Sequence, residues 1–349
     1  MFNLTADNAV EYLHFSGYWP AHVPARAQAL TGGVSNLVIR VEPVDTASRQ
    51  PSMIVKQSAD LLRTKMEWRS RRDRIWIETA AMRFLSEILP VDTVPGIIFE
   101  DRNHCLFGMT DLGDDCQVWK QILLAGKPDQ RMARRAGQIL SHIHQSGIEQ
   151  ADNLRNSLFA DTTVFDELRI DPYYRTIARV HPEIAPAIDR LIQSMSSPHR
   201  PTLVLADFSP KNILVDSQAR LRLVDFETTH WGDPAFDLGF FLTHLVLKSI
   251  WASRQGLSNS EQYFDLIKHF WIEYQAGLAK AEPGDHLEDR ALNHLAACML
   301  ARVDGKSPVD YLSLEDQSIV RQITLEALRS GNQTGLIPFI EKTKDFIKT

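Results

Sequence analysis

The chain has 349 residues, 44% of them hydrophobic and 23% charged, and a net charge of −6. This composition can bury a core, which excludes a disordered chain, and the mixed, mildly acidic charge excludes a nucleic-acid binder built on a broad basic face. Three cysteines, Cys105, Cys116 and Cys298, without Cys-x-x-Cys spacing exclude a disulfide framework or a thiolate zinc cage and fit a reducing cytoplasm.

The start, Met1-Phe2-Asn3-Leu4, has no basic segment followed by an apolar one, so no signal peptide is expected. Thr5 is placed to cap a helix running to about His14. Residues 27–41 read as two strands around Thr31-Gly32-Gly33-Val34-Ser35-Asn36, whose paired glycines permit a tight turn. A third strand runs from Ser52 to Gln57. Ile77, Ala80, Ala81, Phe84, Leu85 and Ile88 recur at helical spacing over 73–89, before Pro90. Residues 94–99 and 105–109 read as two more strands around the polar turn 101–103.

From Leu112 the pattern becomes mostly helical. Residues 131–146 carry Met132, Ala136, Ile139, Leu140 and Ile143 on one face, with Gly147 expected as the stop. Residues 162–197 are less regularly helical. Strands return at 203–215 and 221–226 around the turn Asp216-Ser217-Gln218. Residues 236–251 are apolar but broken by Asp237, His244 and Lys248, which predicts a buried helix and no membrane partner. Ser313 and Asp316 have capping-box spacing for a helix ending near Gly331. The expected architecture is α+β and bilobal: a small, mostly-β N-lobe (1–111) and a larger, mostly helical C-lobe (112–349).

The chemistry lies in Leu203-Val-Leu-Ala-Asp207-Phe-Ser-Pro-Lys-Asn212, followed by Leu221-Arg-Leu-Val-Asp225-Phe-Glu227. An aspartate followed by four residues and an asparagine is the spacing of a kinase catalytic loop. A short hairpin then supplies Asp225. Phosphoryl transfer needs positioned groups and balanced charge, and Mg²⁺ wants oxygen ligands. Asp207 can accept the hydrogen bond of a substrate hydroxyl, and Asn212 and Asp225 can ligate the metal. Glu227 is a second metal ligand or a strand-end acid. Asp233 and Asp237, in Gly232-Asp-Pro234-Ala-Phe-Asp237-Leu, are expected to cap the next helix and fix the loop. His142 and His144 read as ordinary helical residues.

These motifs resemble the aminoglycoside phosphotransferase/choline kinase superfamily. Val55-Lys56-Gln57, Asp73-Arg74-Ile75, Glu78 and the Asp225-x-Glu227 pair are similar to its methylthioribose-kinase branch. The resemblance implies a protein-kinase-like fold, ATP and Mg²⁺ as cofactors, and a small-molecule acceptor. It implies that Lys56 pairs with the nucleotide phosphates and is held by Glu78. Gly32, Gly33, Ser35 and Asn36 would form the phosphate-covering turn, and the hinge from Met109 to Leu112, with Met109 and Asp111 as its contacts, would meet the adenine edge. Two departures stand out. Leu205-Ala206 replaces the usual His-Gly before the aspartate, removing hydrogen bonds that brace the loop, and Asn212 is a residue the methylthioribose branch tends to lack.

For the acceptor side, Arg302 is either a pocket residue or a surface arginine, and Trp231 either stacks on a sugar ring or fills core. The expected function is transfer of phosphate from ATP to a hydroxyl of a sugar-like molecule such as methylthioribose. One alternative is an aminoglycoside or choline-type amino alcohol, for which Glu261, Asp265, Glu273, Asp285, Glu288 and Asp289 could line an acidic cleft. The other is a nucleotide-binding pseudokinase. The oligomeric state is left open, a homodimer included.

Overall fold

Thr5 begins the first helix as expected. Its hydroxyl accepts from Asn8 N while Asn8 Oδ1 accepts from Thr5 N, a reciprocal cap for Ala6–Phe15. The computed structural model describes residues 2–348 apart from 31–34, 46, 64–66, 114, 279–285 and 332–334. It divides into two units, Met1–Asp115 with Arg222–Glu227, and Cys116–Leu221 with Thr228–Thr349.

In the first unit, β1 (Ala25–Ala29), β2 (Asn36–Pro43), β3 (Met53–Ser58), β4 (Ile97–Asp101) and β5 (Leu106–Thr110) form one antiparallel sheet in the order β1-β2-β3-β5-β4. Successive residues of a strand face opposite sides. Met53 and Val55 therefore join Leu4, Ala9, Leu13, Trp19 and Ile39 in a core under the first helix. Lys56 consequently points to the other side, towards Glu78 on the Ile75–Ile88 helix. A single cut at 111/112 does not describe the division, because 222–227 is tied back into the first unit. Leu223 N donates to Thr93 O at 2.7 Å, and Asp225 and Glu227 are bound by Lys56 and Arg74.

The second unit is mainly helical. The Gln130–Glu149 helix packs on Ser260–Gly277, and Pro234–Arg254 packs on Leu287–Asp304. Asp233 caps the Pro234–Arg254 helix by accepting from Ala235 N, with Pro234 at the first position. That helix is long and apolar enough to cross a membrane, but 94% of its apolar window is buried inside the protein. Gly147 does not stop its helix, which continues to Glu149. The glycine instead permits close packing: a Cβ there would lie 2.2 Å from Thr202 Oγ1 and 2.7 Å from Leu203 N. Thr202–Val204 pairs antiparallel with His230–Gly232, a strand the sequence did not announce. Residues 166–175 form a π-helical stretch containing Pro172, a geometry that concentrates at functional sites.

Candidate active site

In the first unit, Lys56 is buried and its Nζ lies 2.8 Å from Glu78 Oε1 and 2.6 Å from Asp225 Oδ1. Burial opposes the charge, but Asp225, Glu78 and Glu227 hold the ammonium well above the ordinary lysine range. Burial pushes the Glu78 carboxyl up, against the pull of Lys56. Arg74 precedes Glu78 by four residues, so both side chains serve the same side of the helix. Fully buried, Arg74 donates through Nε to Glu227 Oε2 at 2.9 Å, and Asn36 Nδ2 donates to the same oxygen at 2.7 Å.

Carboxylate oxygens of Glu78, Asp225 and Glu227 lie within 4.8 Å of one another. An all-oxygen, carboxylate-rich set fits a hard divalent ion such as Mg²⁺. Asp225 sits at φ +70°, a left-handed conformation that short polar residues tolerate best after glycine.

The second unit holds the other half of the motif. Asp207 Oδ2 accepts from Asn212 Nδ2 at 2.7 Å, and Asp207 Oδ1 is 2.8 Å from an Arg169 guanidinium nitrogen. The same guanidinium donates through Nε to Ala206 O at 2.6 Å. Ala206 carries φ +58°, so an alanine bears here a backbone turn that suits glycine.

The brace that a His-Gly pair would supply is replaced by other groups. The buried Asp237 carboxylate accepts from Leu205 N at 2.8 Å and Ala206 N at 2.7 Å. Thr228 donates to Leu205 O at 2.9 Å. His144 is not an ordinary helical residue. It is fully buried, 3.1 Å from Asp237 Oδ2 through Nε2 and 2.8 Å from the Tyr274 hydroxyl through Nδ1. Asp237 is thus the keystone of the loop, itself steadied by His144.

The sequence candidates fare unevenly. Lys56, Glu78, Asp225 and Glu227 are brought together in one unit, and Asp207 with Asn212 in the other. Gly32 and Gly33 lie outside the described residues. Asn36 is buried, with its side-chain amide bonded to Glu227 and Arg74, which makes it a member of the Arg74 cluster. Ser35 O accepts from Arg74 at 2.6 Å. Met109 is buried in β5, in register with both Ile54 and Ile97. The Asp111 carboxylate pairs with Arg40 at 2.5 Å. Trp231 sits half-buried in the short strand opposite Leu203. Arg302 donates to Tyr173 and Ser307 hydroxyls at 3.2 and 3.0 Å, so it is not a loose surface arginine.

The five described acids of the candidate acidic cleft each have a partner of their own. Glu261 pairs with Lys344, Asp265 with Lys268 and Asp289 with His286; Glu273 accepts from Gln138 and Glu288 from Leu336 N. Asp285 lies outside the described residues. Arg74, Arg169 and His144 were missed as site residues; the signal for His144 was an imidazole on the apolar face of its helix.

A family model described as a phosphotransferase enzyme family matches residues 26–266, more than half of the chain. The chain belongs to this family. No curated protein matches the phosphotransferase significantly. Among solved structures it is similar to amicoumacin kinase hAmiN in complex with AMP-PNP, Ca²⁺ and Ami, at 13% identity over 96% of this chain and 97% of that one, with a TM-score of 0.59. It is also similar to a microcompartment-associated aminopropanol kinase, at 14% identity over 92% and 98% of the two chains, TM-score 0.56. A GDP complex of aminoglycoside 2′-phosphotransferase-IIIa matches at 13% identity over 99% and 96%, TM-score 0.51. The phosphotransferase thus has the protein-kinase-like fold of small-molecule kinases, with a small antiparallel sheet and a larger helical part.

Proposed function

We propose that this phosphotransferase moves the γ-phosphoryl group of ATP to a hydroxyl of a sugar-like small molecule, with Mg²⁺ as the counter-ion. The observation that carries the reading is the Lys56–Glu78–Asp225 cluster, a buried ammonium fixed by two carboxylates at 2.8 and 2.6 Å. Lys56 would turn from Asp225 to the nucleotide phosphates, with Glu78 keeping it in place. The metal ion, when bound, neutralises the triphosphate and the transferred group. Asp225 and Glu227, the latter anchored by Arg74, would hold it, and Asn212 would be a further oxygen donor. Asn212 spends its amide nitrogen on Asp207, so its oxygen is the end offered for ligation.

Asp207 would orient the acceptor hydroxyl and take its proton late in transfer. Arg169 holds one of its oxygens and Asn212 the other, which fixes the carboxylate plane. Ser35, and Gly32 with Gly33, would cover the phosphates; Met109 to Asp111 would border the adenine. The two lobes of the reading are the nucleotide-binding 1–111, joined by 222–227, and the acceptor-binding remainder. Methylthioribose is the sugar type the motifs suggest. An aminoglycoside or amino-alcohol acceptor is suggested by Asn212 and by the names of the aminopropanol kinase and the aminoglycoside phosphotransferase, while the described acids that would serve it have partners of their own. A cytoplasmic location fits ATP use.

The test is ADP release across a panel of methylthioribose, other sugars, choline and aminoglycosides, with the parent and with Asp207→Asn. The variant is expected to lose about 10²–10⁴-fold in kcat with the productive acceptor while still binding Mg-AMP-PNP. Turnover by Asp207→Asn at the parent rate would remove Asp207 from the mechanism.

A further inference from the structure

The second unit contains a group of cations that the phosphoryl-transfer motif does not use. Lys248 lies in the middle of the Pro234–Arg254 helix and is 1% exposed. Its Nζ makes one hydrogen bond, to His244 O at 3.2 Å in its own helix, and sits 5.3 Å from the centre of the Tyr311 ring. No carboxylate among the described residues forms an ion pair with it. Lys120 reaches the same ring at 5.7 Å and is only loosely balanced by the exposed Asp310, 3.3 Å away.

Arg302 completes the group. Among the described residues its Nη1 is bound by the neutral hydroxyls of Tyr173 and Ser307, and its buried Nε has no hydrogen-bond partner. The buried Tyr311 hydroxyl also has none among the described residues. The nearby acids are spent on other cations: Asp171 on Lys306 at 2.6 Å and Asp304 on Arg321 at 2.8 Å. Burial, then Lys120 and Arg302, push the Lys248 amine down to about 7, against a smaller opposing pull from Asp310.

This group adjoins the catalytic loop. Lys120 N donates to Pro210 O at 2.7 Å, three residues from Asp207. From the other side, Arg169 bonds to Asp207 and packs 5.9 Å from the Tyr173 ring, whose hydroxyl meets Arg302. A buried lysine and a half-buried arginine, neither in an ion pair among the described residues, with Arg302 Nε and the Tyr311 hydroxyl unspent, form an incompletely balanced electrostatic unit. An oxyanion would complete it, accepting from Lys248 Nζ, Arg302 Nε and Tyr311 OH.

We propose that Lys248, Arg302, Tyr311 and Lys120 bind an anionic group, a carboxylate or a phosphate, carried by the hydroxyl substrate. The inference rests on the phosphotransferase reading and narrows its acceptor from a sugar-like alcohol to an acidic one. It places repulsion where an amino alcohol would need attraction.

The test is calorimetric titration of the full chain, saturated with Mg-AMP-PNP, using inorganic phosphate, D-glycerate, glycerol and 2-amino-1,3-propanediol. At least one of the two anions is expected to bind, more weakly as NaCl is added, with no comparable binding of the neutral or amino probe. Phosphate alone points to a phosphorylated substrate, glycerate to a hydroxy acid. Lys248→Met and Arg302→Gln should each weaken that binding at least tenfold, and thermal melts establish that each variant is folded. Lys248→Gln serves if the methionine variant does not fold. Failure of both anions to bind, undiminished binding in the variants, or preference for the amino probe overturns the proposal. So does anion binding that Mg-AMP-PNP abolishes, because the site would then be a nucleotide subsite. If the parent does not bind Mg-AMP-PNP, the phosphotransferase reading fails separately, and titration of the nucleotide-free chain still decides the anion site.

Discussion

Two arginines, Arg169 and Arg74, hold carboxylates of the candidate site. Arg169 serves Asp207 and Ala206 O with one guanidinium, and lies over the Phe240 ring at 5.3 Å. Under the proposed mechanism it would be a positioning residue, acting through Asp207. Arg169→Lys is expected to lower kcat about ten- to a hundredfold with little change in nucleotide affinity, because a point charge cannot serve both oxygens from one plane. Single-turnover ADP formation together with AMP-PNP titration separates the two effects; an unchanged kcat would remove Arg169 from catalysis. Arg74 presents a different problem, a fully buried charge whose partner is Glu227. Arg74→Met leaves that carboxylate buried and unpaired, at an expected cost of about 3–5 kcal/mol in urea unfolding. The double variant with Glu227→Gln should recover part of the loss.

At the scale of elements, helices and strands were legible where periodicity and local chemistry agreed. Thr5 and Ser313 both make reciprocal caps, and Gly331 closes its helix at φ +62°. The spacing of Asp207, Asn212 and Asp225 was legible because a loop and a hairpin impose it locally. Arg169 was not, since it reaches Asp207 from a π-helical stretch 38 positions earlier, and tertiary packing alone chooses that partner. Gly147 was misread for the same reason: a glycine late in a helix resembles a stop, and only the Thr202–Val204 strand reveals why it is small. Gly147→Ala should therefore destabilise by about 1–3 kcal/mol even though alanine favours helix. The strand it presses leads straight into Leu205 and Ala206, so acceptor KM should rise as well. A stabilising effect on thermal melting would show that the strand can move aside without cost.

At the scale of the whole molecule, the buried ionisable groups of the second unit set how stability depends on pH. His230 and His294 are pushed down to about 4 and His244 well below its ordinary value, in each case first by burial. An unfolded chain protonates these rings near 6.5, while the folded chain keeps them neutral. The unfolded state therefore binds more protons as pH falls from 6.5 towards 4, and stability drops by up to about 3 kcal/mol for each of His230 and His294. Lys248 adds the same sign at higher pH. It faces Lys120, Arg302, His244 and, with opposite effect, Asp310, and it is neutral in the folded chain above about 7 but charged in the unfolded chain to about 10. Stability should thus rise with pH from 4 to about 9, above which the buried Cys298 thiol, pushed up to about 12, offsets the lysine. Glu78 opposes the trend in its lower part, because its raised carboxyl favours the protonated folded state. Above 10 the trend reverses, since burial keeps Tyr174 and Tyr311 protonated while unfolded tyrosines ionise. Urea midpoints measured at pH 5, 7, 9 and 11 should climb through the first three and fall at the last. Lys248→Met should raise the midpoint at pH 7 by removing a desolvated charge, and should flatten the climb between 7 and 9. A parent midpoint independent of pH across 5–9 would mean that water or a counter-ion reaches these groups in solution.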